Sequence, residues 1–496
     1  MSLEYKLSTM RMLSAGRGGV SIAVAAAALT TPCPPAAAAA RAPAAEYTVE
    51  ASEGGRELRV EAAFAQAPAG GLEFDDRMGR YARDAEVQQD GRWSAAKIEG
   101  DTIVAPSCAR GACRARYRFS LEQAARNEHS RNSVSEQQGA FLAPPSTWLV
   151  RPGHRGPGRF RLRVSTPPGV SFATGLFPAA GDAYEAELAD LPEAPYSVLG
   201  AFETTRVEAP GAVVEVALLP GEVAAGRAGV LAWIRAAAGD VAGYYGRFPV
   251  PRLLVIVIPG GRRAVGFGTT MGNGGASIML WVGAGAREEE LRRDWVLTHE
   301  MVHLGLPNLP RAQRWMEEGL ATYVEPVARA RRGHLAIEDV WSDLVRRTPQ
   351  GVPGPGGLDA NEGYGAIYWG GALYWLLADV EIRERSGGRL TLEDALRGVR
   401  DAGGSIAVTW PVERVLATAD RAVGITVLEE LYGRMARSAG AVDLRGLWAR
   451  LGIDDAGGIR FRDDAPLAAI RKAITAPPEG PQRGGRPSGG SATPRP

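Results

Sequence analysis

The chain is poor in three residue types that often mark function. Among its 496 residues there are three cysteines, five histidines and only three lysines. The formal net charge is +1, so no excess of positive charge predicts binding to nucleic acid or to an anionic membrane. The basic residues are almost all arginine, which we attribute to the codon bias of a GC-rich genome. The hydrophobic fraction of 45% and the charged fraction of 23% are typical of a soluble globular protein, long enough for two or three domains.

Several common catalytic motifs are also missing. The sequence contains neither the G-x-S-x-G turn of a serine hydrolase nor the G-x-G-x-x-G or Walker loop of a nucleotide-binding protein. The glycine-rich stretch at 266–275, GFGTTMGNGG, is therefore interpreted as an edge strand with tight turns beside a substrate. We find no internal repeats.

The N-terminal segment 1–43 has the features of a signal peptide. Arg11 and Arg17 precede an apolar run at 18–30, and an alanine-rich stretch of small residues follows it. The run is too short to span a bilayer as a helix. We therefore expect an exported bacterial protein, periplasmic or secreted, with no stable membrane span in the mature chain.

Two of the cysteines, Cys108 and Cys113, are separated by a short glycine-containing stretch. An even pair of this kind in an exported chain predicts a local disulfide. The spacing differs from the C-x-x-C of redox-active pairs, and further zinc ligands are not visible nearby. The expected role of the pair is structural.

Hydrophobic periodicity divides the rest of the chain into three regions and a tail. Alternating apolar and polar residues predict a β-rich N-terminal domain over 44–222. A catalytic domain is predicted over 223–330, where helical spacing adjoins continuous apolar runs typical of buried strands. Helical patterns dominate 331–475, and the tail 476–496, rich in proline, glycine and arginine, is expected to be disordered. The predicted fold class is α+β with several domains.

The stretch VLTHEMVHLG at 296–305 holds two of the five histidines, on a helix predicted over about 287–304. His299 and His303 are four residues apart, so on a helix their rings project from one face and can share a zinc ion. Glu300 lies beside them, where a carboxylate can take the proton of a metal-bound water as it attacks a carbonyl group. The flanking residues are apolar, as expected for a zinc helix that lines the protein interior.

A catalytic zinc site needs a third protein ligand. Glu318, 15 residues after His303, opens a second predicted helix in RWMEEGLATYVEP at 314–326. Thr322 and Glu325 share its helical face. Glu317 is the competing carboxylate, but it is rotated about 100° away from that face. We therefore predict one Zn²⁺ ion held by the two histidines and Glu318.

These motifs together resemble those of the gluzincin metallopeptidases of clan MA. H-E-x-x-H followed by W-x-x-E-G-x-A-x-Y at 315–323 is the pattern of that group, which includes the large aminopeptidase superfamily. Residues 368–399, YWGGALYWLLADVEIRERSGGRLTLEDALRGV, are similar to a helix and the following segment of the glycyl aminopeptidase family. The similarity covers about 160–400 and is strong only at 296–326 and 364–399.

The resemblance implies a thermolysin-like catalytic domain and a role for each site residue. His299, His303 and Glu318 match the zinc ligands, and Glu300 matches the general base. Tyr368 matches the tyrosine whose hydroxyl stabilises the tetrahedral oxyanion, as a neutral donor aimed at developing charge can do.

The match leaves one residue's role open and departs from the family in three ways, so it does not imply the substrate. Tyr364, one turn before the matched tyrosine, is an alternative oxyanion donor. Gly370 and Gly371 stand where the family has lysine and glycine, and no room is left for the family's PDZ domain. The strand before the zinc helix usually carries a glutamate that holds the amine of the substrate, whereas TTMGNGGASIML at 269–280 has no carboxylate.

The leading functional hypothesis is therefore an exported zinc metallopeptidase that hydrolyses peptide bonds of a peptide or protein substrate. Endopeptidase or aminopeptidase action is left undecided. The alternative hypothesis is a non-catalytic exported binding or assembly protein that retains a metallopeptidase scaffold.

Overall fold

The computed structural model describes residues 43–66, 71–106, 108, 111–128, 134–153 and 157–477. The signal peptide predicted at 1–43 and the tail predicted at 476–496 lie outside these residues, except at their inner ends. The described residues from Ala44 onward form one compact unit. Among the described residues, every helix is too short or too polar to cross a membrane.

The N-terminal region consists mainly of strands, as its period-two pattern predicts. In the first strand Ala45, Tyr47 and Val49 are buried while Glu46 and Thr48 between them are exposed, which places one face of the sheet against a core. The elements of this region, with two short helices, are β1 (Ala45–Ala51), β2 (Glu57–Phe64), β3 (Leu72–Glu73), β4 (Ala82–Gln89), β5 (Arg92–Ala95), β6 (Ile98–Glu99), β7 (Thr102–Ile103), β8 (Cys113–Ser120), α1 (Leu121–Asn127), β9 (Ser135–Gln137), β10 (Ala140–Ala143), α2 (Pro145–Trp148), β11 (Arg151–Pro152), β12 (Arg159–Ser165), β13 (Ser171–Thr174), β14 (Pro178–Ala179), β15 (Ala183–Glu187) and β16 (Ser197–Gly200).

These strands form three sheets around a core of their own. An eight-stranded sheet has the order β14-β15-β12-β1-β2-β8-β4-β5, and two four-stranded sheets have the orders β13-β16-β10-β9 and β11-β3-β7-β6. The core between them extends from Ala45 to Leu199. Cys108 and Cys113 are both buried in it and are joined by a disulfide, with Cα atoms 4.8 Å apart.

A five-stranded mixed sheet follows in the chain. It is built from β17 (Glu203–Ala209), β18 (Ala212–Leu218), β19 (Arg252–Pro259), β20 (Val265–Met271) and β21 (Ser277–Val282), in the order β17-β18-β19-β21-β20. Strands β18, β19 and β21 run parallel, and β20 pairs antiparallel with β21 at the sheet edge. The hairpin β17–β18 belongs to this sheet, so the predicted boundary at 222 falls after two of its strands. Side-chain alternation in the hairpin resembles that of the preceding strands, which is why periodicity assigned it to the N-terminal region.

Helices form the rest of the described chain, with one small two-stranded sheet. They are α3 (Gly226–Tyr245), α4 (Glu288–Arg293), α5 (Val296–Val302), α6 (Arg314–Arg331), α7 (Ile337–Arg347), α8 (Tyr364–Ser386), α9 (Leu392–Asp401), α10 (Val412–Val423), α11 (Val427–Met435), α12 (Leu444–Leu451) and α13 (Ala468–Thr475), with β22 (Ile453–Asp454) and β23 (Arg460–Phe461) between the last two. One continuous core extends from Val207 in the sheet to Ile474 in α13. The predicted boundary at 330 therefore lies inside a shared core, and the predicted catalytic and helical regions pack as one body.

Helices α6 and α8 cross in direct backbone contact. A Cβ atom added at Gly319 would lie 2.2 Å from Cα of Gly371, and one added at Gly371 would lie 1.9 Å from the carbonyl oxygen of Trp315. Only glycine at both positions allows this approach. The crossing brings Glu318, next to the first glycine, towards Tyr368, one turn before the second.

Candidate metal centre

The zinc helix predicted over 287–304 is interrupted. Helix α4 ends at Arg293 and α5 begins at Val296, because the backbone turns at Asp294 and the Asp294 carboxylate accepts a hydrogen bond from the Val296 amide at 2.9 Å. This hydrogen bond marks the start of a new helix. At the other end α5 closes at Val302, and His303 begins a single 3-10 turn that ends at Gly305.

The two histidines and Glu318 converge on one point. Among the described residues of the chain, they are the cluster of at least three His, Cys, Asp or Glu side chains that could hold a metal ion, with one ligand atom from each lying within 4.8 Å of the others. The Oε2 atom of Glu318 is 3.4 Å from Nε2 of His299 and 3.7 Å from Nε2 of His303. His299 is 5% exposed and Glu318 is 4% exposed. The structure thus brings together all three predicted ligands.

The donor set fits a zinc ion. Two imidazole nitrogens and one carboxylate oxygen are the protein ligands of a catalytic zinc that keeps an open position. Burial lowers the pKa of His299, but the adjacent Glu318 carboxylate outweighs it, with Glu300 and Glu325 acting in the same direction, so that the pKa is raised. A buried carboxylate facing two imidazoles is an arrangement that a divalent cation would satisfy.

The two neighbouring glutamates at the start of α6 have different partners. Glu318 faces the histidines, and its other oxygen, Oε1, is 3.3 Å from Nη2 of Arg314. Glu317 accepts a hydrogen bond from the Leu309 amide at 3.0 Å and so ties the loop before α6 to the helix. The helical rotation that separates the two side chains therefore decides which of them reaches the histidines.

Glu300 lies beside the histidines and is held from the sheet edge. The hydroxyl of Thr270 in β20 donates to Oε2 of Glu300 at 2.6 Å, and the Thr270 hydroxyl oxygen also lies 2.9 Å from the carbonyl oxygen of Glu300. A Cβ atom at Gly268, two residues earlier, would lie 2.6 Å from Cγ of Glu300. The glycine lets the carboxylate pack directly on the strand, and the threonine fixes its orientation.

Tyr368 approaches the cluster from α8. Its hydroxyl forms a hydrogen bond with Glu318, and its ring stacks on that of His299 with centroids 6.0 Å apart. Burial first, and then the charge of Glu318, raise the pKa of Tyr368 far above its usual value, so the hydroxyl stays protonated and can donate. Tyr364 stacks on the outer side of Tyr368 with ring centroids 4.3 Å apart and is 47% exposed.

A second layer of charges lies behind α5. Glu325, 7% exposed, accepts a hydrogen bond from Arg329 at 2.7 Å, and Arg329 also donates to the carbonyl oxygen of Arg293 at the end of α4. Burial raises the pKa of Glu325, and it raises that of Asp294 to about 7. The position of Glu325 on the face of Glu318 was visible in the sequence, but its pairing with Arg329 beneath α5 was not.

The turn after β20, where the sequence has no acidic residue, packs against a distant segment of the chain. A Cβ atom at Gly272 would lie 1.9 Å from the carbonyl oxygen of Ile406, which also accepts a hydrogen bond from the Asn273 amide at 2.9 Å. The side chain of Asn273 donates to Glu193 of the N-terminal region at 2.9 Å. A glutamate cannot replace Gly272 in this arrangement, whereas Glu193 brings a carboxylate to the same turn from another part of the chain.

Comparison with known proteins identifies the fold through solved structures. No model of a protein family matches the chain, and no curated protein matches it. An aminopeptidase N family protein from Idiomarina loihiensis matches with a TM-score of 0.60 at 14% identity, over 82% of this chain and 78% of that one. The M1 zinc metallopeptidase from Deinococcus radiodurans matches with a TM-score of 0.50 at 16% identity, over 80% of this chain and 93% of that one. A mutant of the Deinococcus enzyme bound to a Tyr-Ser-Ala substrate also matches, at a TM-score of 0.50 and 15% identity, over 80% of this chain and 93% of that one. At these identities the likeness shows the fold, which is the multidomain fold of M1 metallopeptidases.

Proposed function

We propose that this chain is an exported zinc-dependent metallopeptidase that hydrolyses peptide bonds in a peptide or protein substrate. The observation that carries the proposal is the convergence of His299, His303 and Glu318 within 4.8 Å, with Glu300 oriented beside them. The fold agrees with the proposal, because solved structures that share it include zinc metallopeptidases. We further propose a gluzincin of the glycyl aminopeptidase type with a thermolysin-like core, on the motif similarity at 296–326 and 364–399.

The two histidines and Glu318 would hold the ion, and Glu300 would move protons. Zinc, when bound, supplies a Lewis acid that lowers the pKa of a coordinated water and polarises the scissile carbonyl group. The Glu300 carboxylate, fixed by Thr270 through Oε2, is placed to accept a proton from the attacking water and to return it to the leaving amine. Its other oxygen supplies the acceptor for that transfer.

Tyr368 is the proposed donor to the oxyanion. Its ring is 7% exposed, whereas that of Tyr364 is 47% exposed, and a buried, pre-oriented hydroxyl stabilises developing charge more effectively than one in water. In the structure the Tyr368 hydroxyl bonds to Glu318, so donation to a substrate requires it to turn from that carboxylate towards the carbonyl oxygen. Tyr364 would then shield the site from solvent.

The proposal also concerns which carboxylate would bind the free amine of a substrate. An aminopeptidase needs an anion for the substrate's N-terminus, and residues 265–282 include no acidic side chain. Glu193 is the carboxylate that reaches the turn after β20, through Asn273. Peptides with free and with acetylated N-termini separate the two modes. Removal of single residues from free peptides, with Glu193→Gln raising KM, indicates an aminopeptidase, and internal cleavage of acetylated peptides indicates an endopeptidase.

Metal analysis combined with one variant tests the proposed function. The purified protein should contain one zinc ion per chain and cleave members of a broad peptide library. Glu300→Gln should keep the zinc and lose nearly all turnover, because the amide cannot accept the proton. A protein without stoichiometric zinc would refute the proposal. Zinc retained without hydrolysis of any peptide would favour the non-catalytic binding protein instead.

Export is proposed from the basic and apolar pattern of residues 1–43. A reporter enzyme that is active only outside the cytoplasm, fused after residue 43, should become active in a bacterial host. The same fusion with the apolar run 18–30 deleted should not. Equal activity of the two fusions would contradict export by this segment.

A further inference from the structure

The two oxygens of Glu318 face different partners. Oε2 faces Nε2 of both His299 and His303, at 3.4 Å and 3.7 Å. Oε1 is 3.3 Å from Nη2 of Arg314, one helical turn earlier in α6. A carboxylate without such a constraint can offer a metal ion one oxygen or both, so the arginine bears directly on which oxygen is available.

Arg314 stands at a helix position that disfavours it. It is the first residue of α6, where the backbone N–H groups carry partial positive charge and a cation is destabilising. Its side chain is nevertheless 26% exposed, and its carboxylate partner is 5% exposed. The local preferences of the helix do not account for this arginine, whereas its contact with a buried carboxylate does.

We infer that Arg314 is a positioning residue that holds Oε1 of Glu318, so that Oε2 alone is presented to the ion shared with the histidines. The inference rests on the proposed function, since it concerns the same zinc ligand. A hydrogen-bonded partner behind a ligand fixes the ligand's orientation before the metal arrives, and loss of such a partner commonly costs metal affinity. Arg314 thereby leaves the remaining coordination position open.

Two substitutions of Arg314 test this inference through metal binding. Arg314→Met keeps the length and apolar stem of the side chain but has no donor, so zinc affinity measured by competition with a chelator should fall by about 10- to 100-fold. X-ray absorption of the zinc-loaded variant should show a second carboxylate oxygen at the metal. Arg314→Lys retains a charged donor and should restore most of the affinity and the wild-type spectrum.

The control is an arginine–glutamate pair of the same spacing far from the site. Arg126 contacts Glu122 at 2.7 Å in α1, and Arg126→Met should leave zinc affinity unchanged. If Arg314→Met binds zinc as tightly as the wild type, or more tightly, the inference is wrong, and tighter binding would mean that the arginine acts by repelling the ion. If Arg314→Met does not fold, Arg314→Gln replaces it with the same expectation of weaker binding. A wild-type protein that takes up no zinc would instead refute the proposed function.

Discussion

Replacing glycine by alanine should have opposite effects on stability at two helical positions. Gly371 lies in the crossing of α6 and α8, and Gly433 lies in α11. Gly371→Ala would place Cβ 1.9 Å from the carbonyl oxygen of Trp315 and 2.6 Å from Cα of Gly319. Cβ atoms essentially never approach other heavy atoms within 3.0 Å, so the two backbones must separate by about 1 Å. Neither obstacle is a side chain that could rotate away.

The expected cost follows from this overpacking. Extra methyl groups in packed interiors cost about 1–3 kcal/mol, and more when backbone must shift. Alanine recovers about 1 kcal/mol of helix propensity over glycine. Because the obstacles here are backbone atoms of two buried helices, we expect a net loss of roughly 3 kcal/mol in the free energy of unfolding. Zinc affinity should fall as well, since Glu318 and Tyr368 flank the crossing.

The matched control is Gly433 in α11. A Cβ atom there would have no neighbour within 4 Å, so Gly433→Ala should only gain propensity and stabilise the protein by about 1 kcal/mol. Urea unfolding of the zinc-free proteins gives both changes, and chelator competition gives the zinc affinities. If Gly371→Ala unfolds at the wild-type urea concentration and binds zinc normally, the helices do not meet as described and the reasoning fails.

Three further predictions concern Asp294 before α5, Thr270 beside Glu300, and the disulfide. Burial raises the pKa of Asp294 from 3.8 to about 7. The contribution of the protonated Asp294 carboxyl to the free energy of unfolding is therefore complete below pH 3.8 and is lost as the pH rises through 7. The free energy of unfolding falls by at most about 4 kcal/mol over this range. Asp294→Asn, which keeps an oxygen to accept the Val296 amide, should thus be more stable than the wild type in urea at pH 8 and equal to it near pH 4, and a less stable variant at pH 8 would contradict this. Thr270→Val removes the hydroxyl that orients Glu300 and should lower kcat about tenfold with unchanged zinc content, whereas an unchanged kcat would show that the contact is dispensable. Mass spectrometry without reductant should find Cys108 joined to Cys113, and two free thiols would refute the disulfide.

The convergence of His299, His303 and Glu318 could be predicted because their geometry is local. The four-residue spacing of His299 and His303 and the rotation that selects Glu318 over Glu317 follow from helical geometry alone. The structure departs from that reasoning only in detail, since His303 lies in a 3-10 turn and the helix is interrupted at Asp294. One turn of 3-10 geometry still leaves His303 on the face of His299. Cap and turn preferences are weaker than the spacing rule, so the sequence did not reveal the interruption.

The partners of these residues could not be predicted, because the chain separates them widely. Thr270 precedes Glu300 by 30 residues, and its contact depends on a strand edge that packs against α5. The closure of Gly272 by Ile406 joins segments more than 130 residues apart. The hairpin β17–β18 was misplaced for the same reason: its parallel pairing with β19 crosses the whole of α3. Local periodicity carries no information about such pairings.

Asn273 shows why the surroundings of the cluster could not be predicted from the sequence. Its φ of +62° turns the chain after β20, and its side chain donates to Glu193 while its oxygen accepts from Asn308 and Thr409. One amide thus joins the N-terminal region, the loop after the zinc helix and the segment that closes Gly272. His299 lies in α5, His303 in the 3-10 turn that follows it and Glu318 in α6, all within 20 residues, so their spacing follows from local geometry. The turn after β20 instead depends on three regions held at one side chain, so no local pattern in the sequence reveals it.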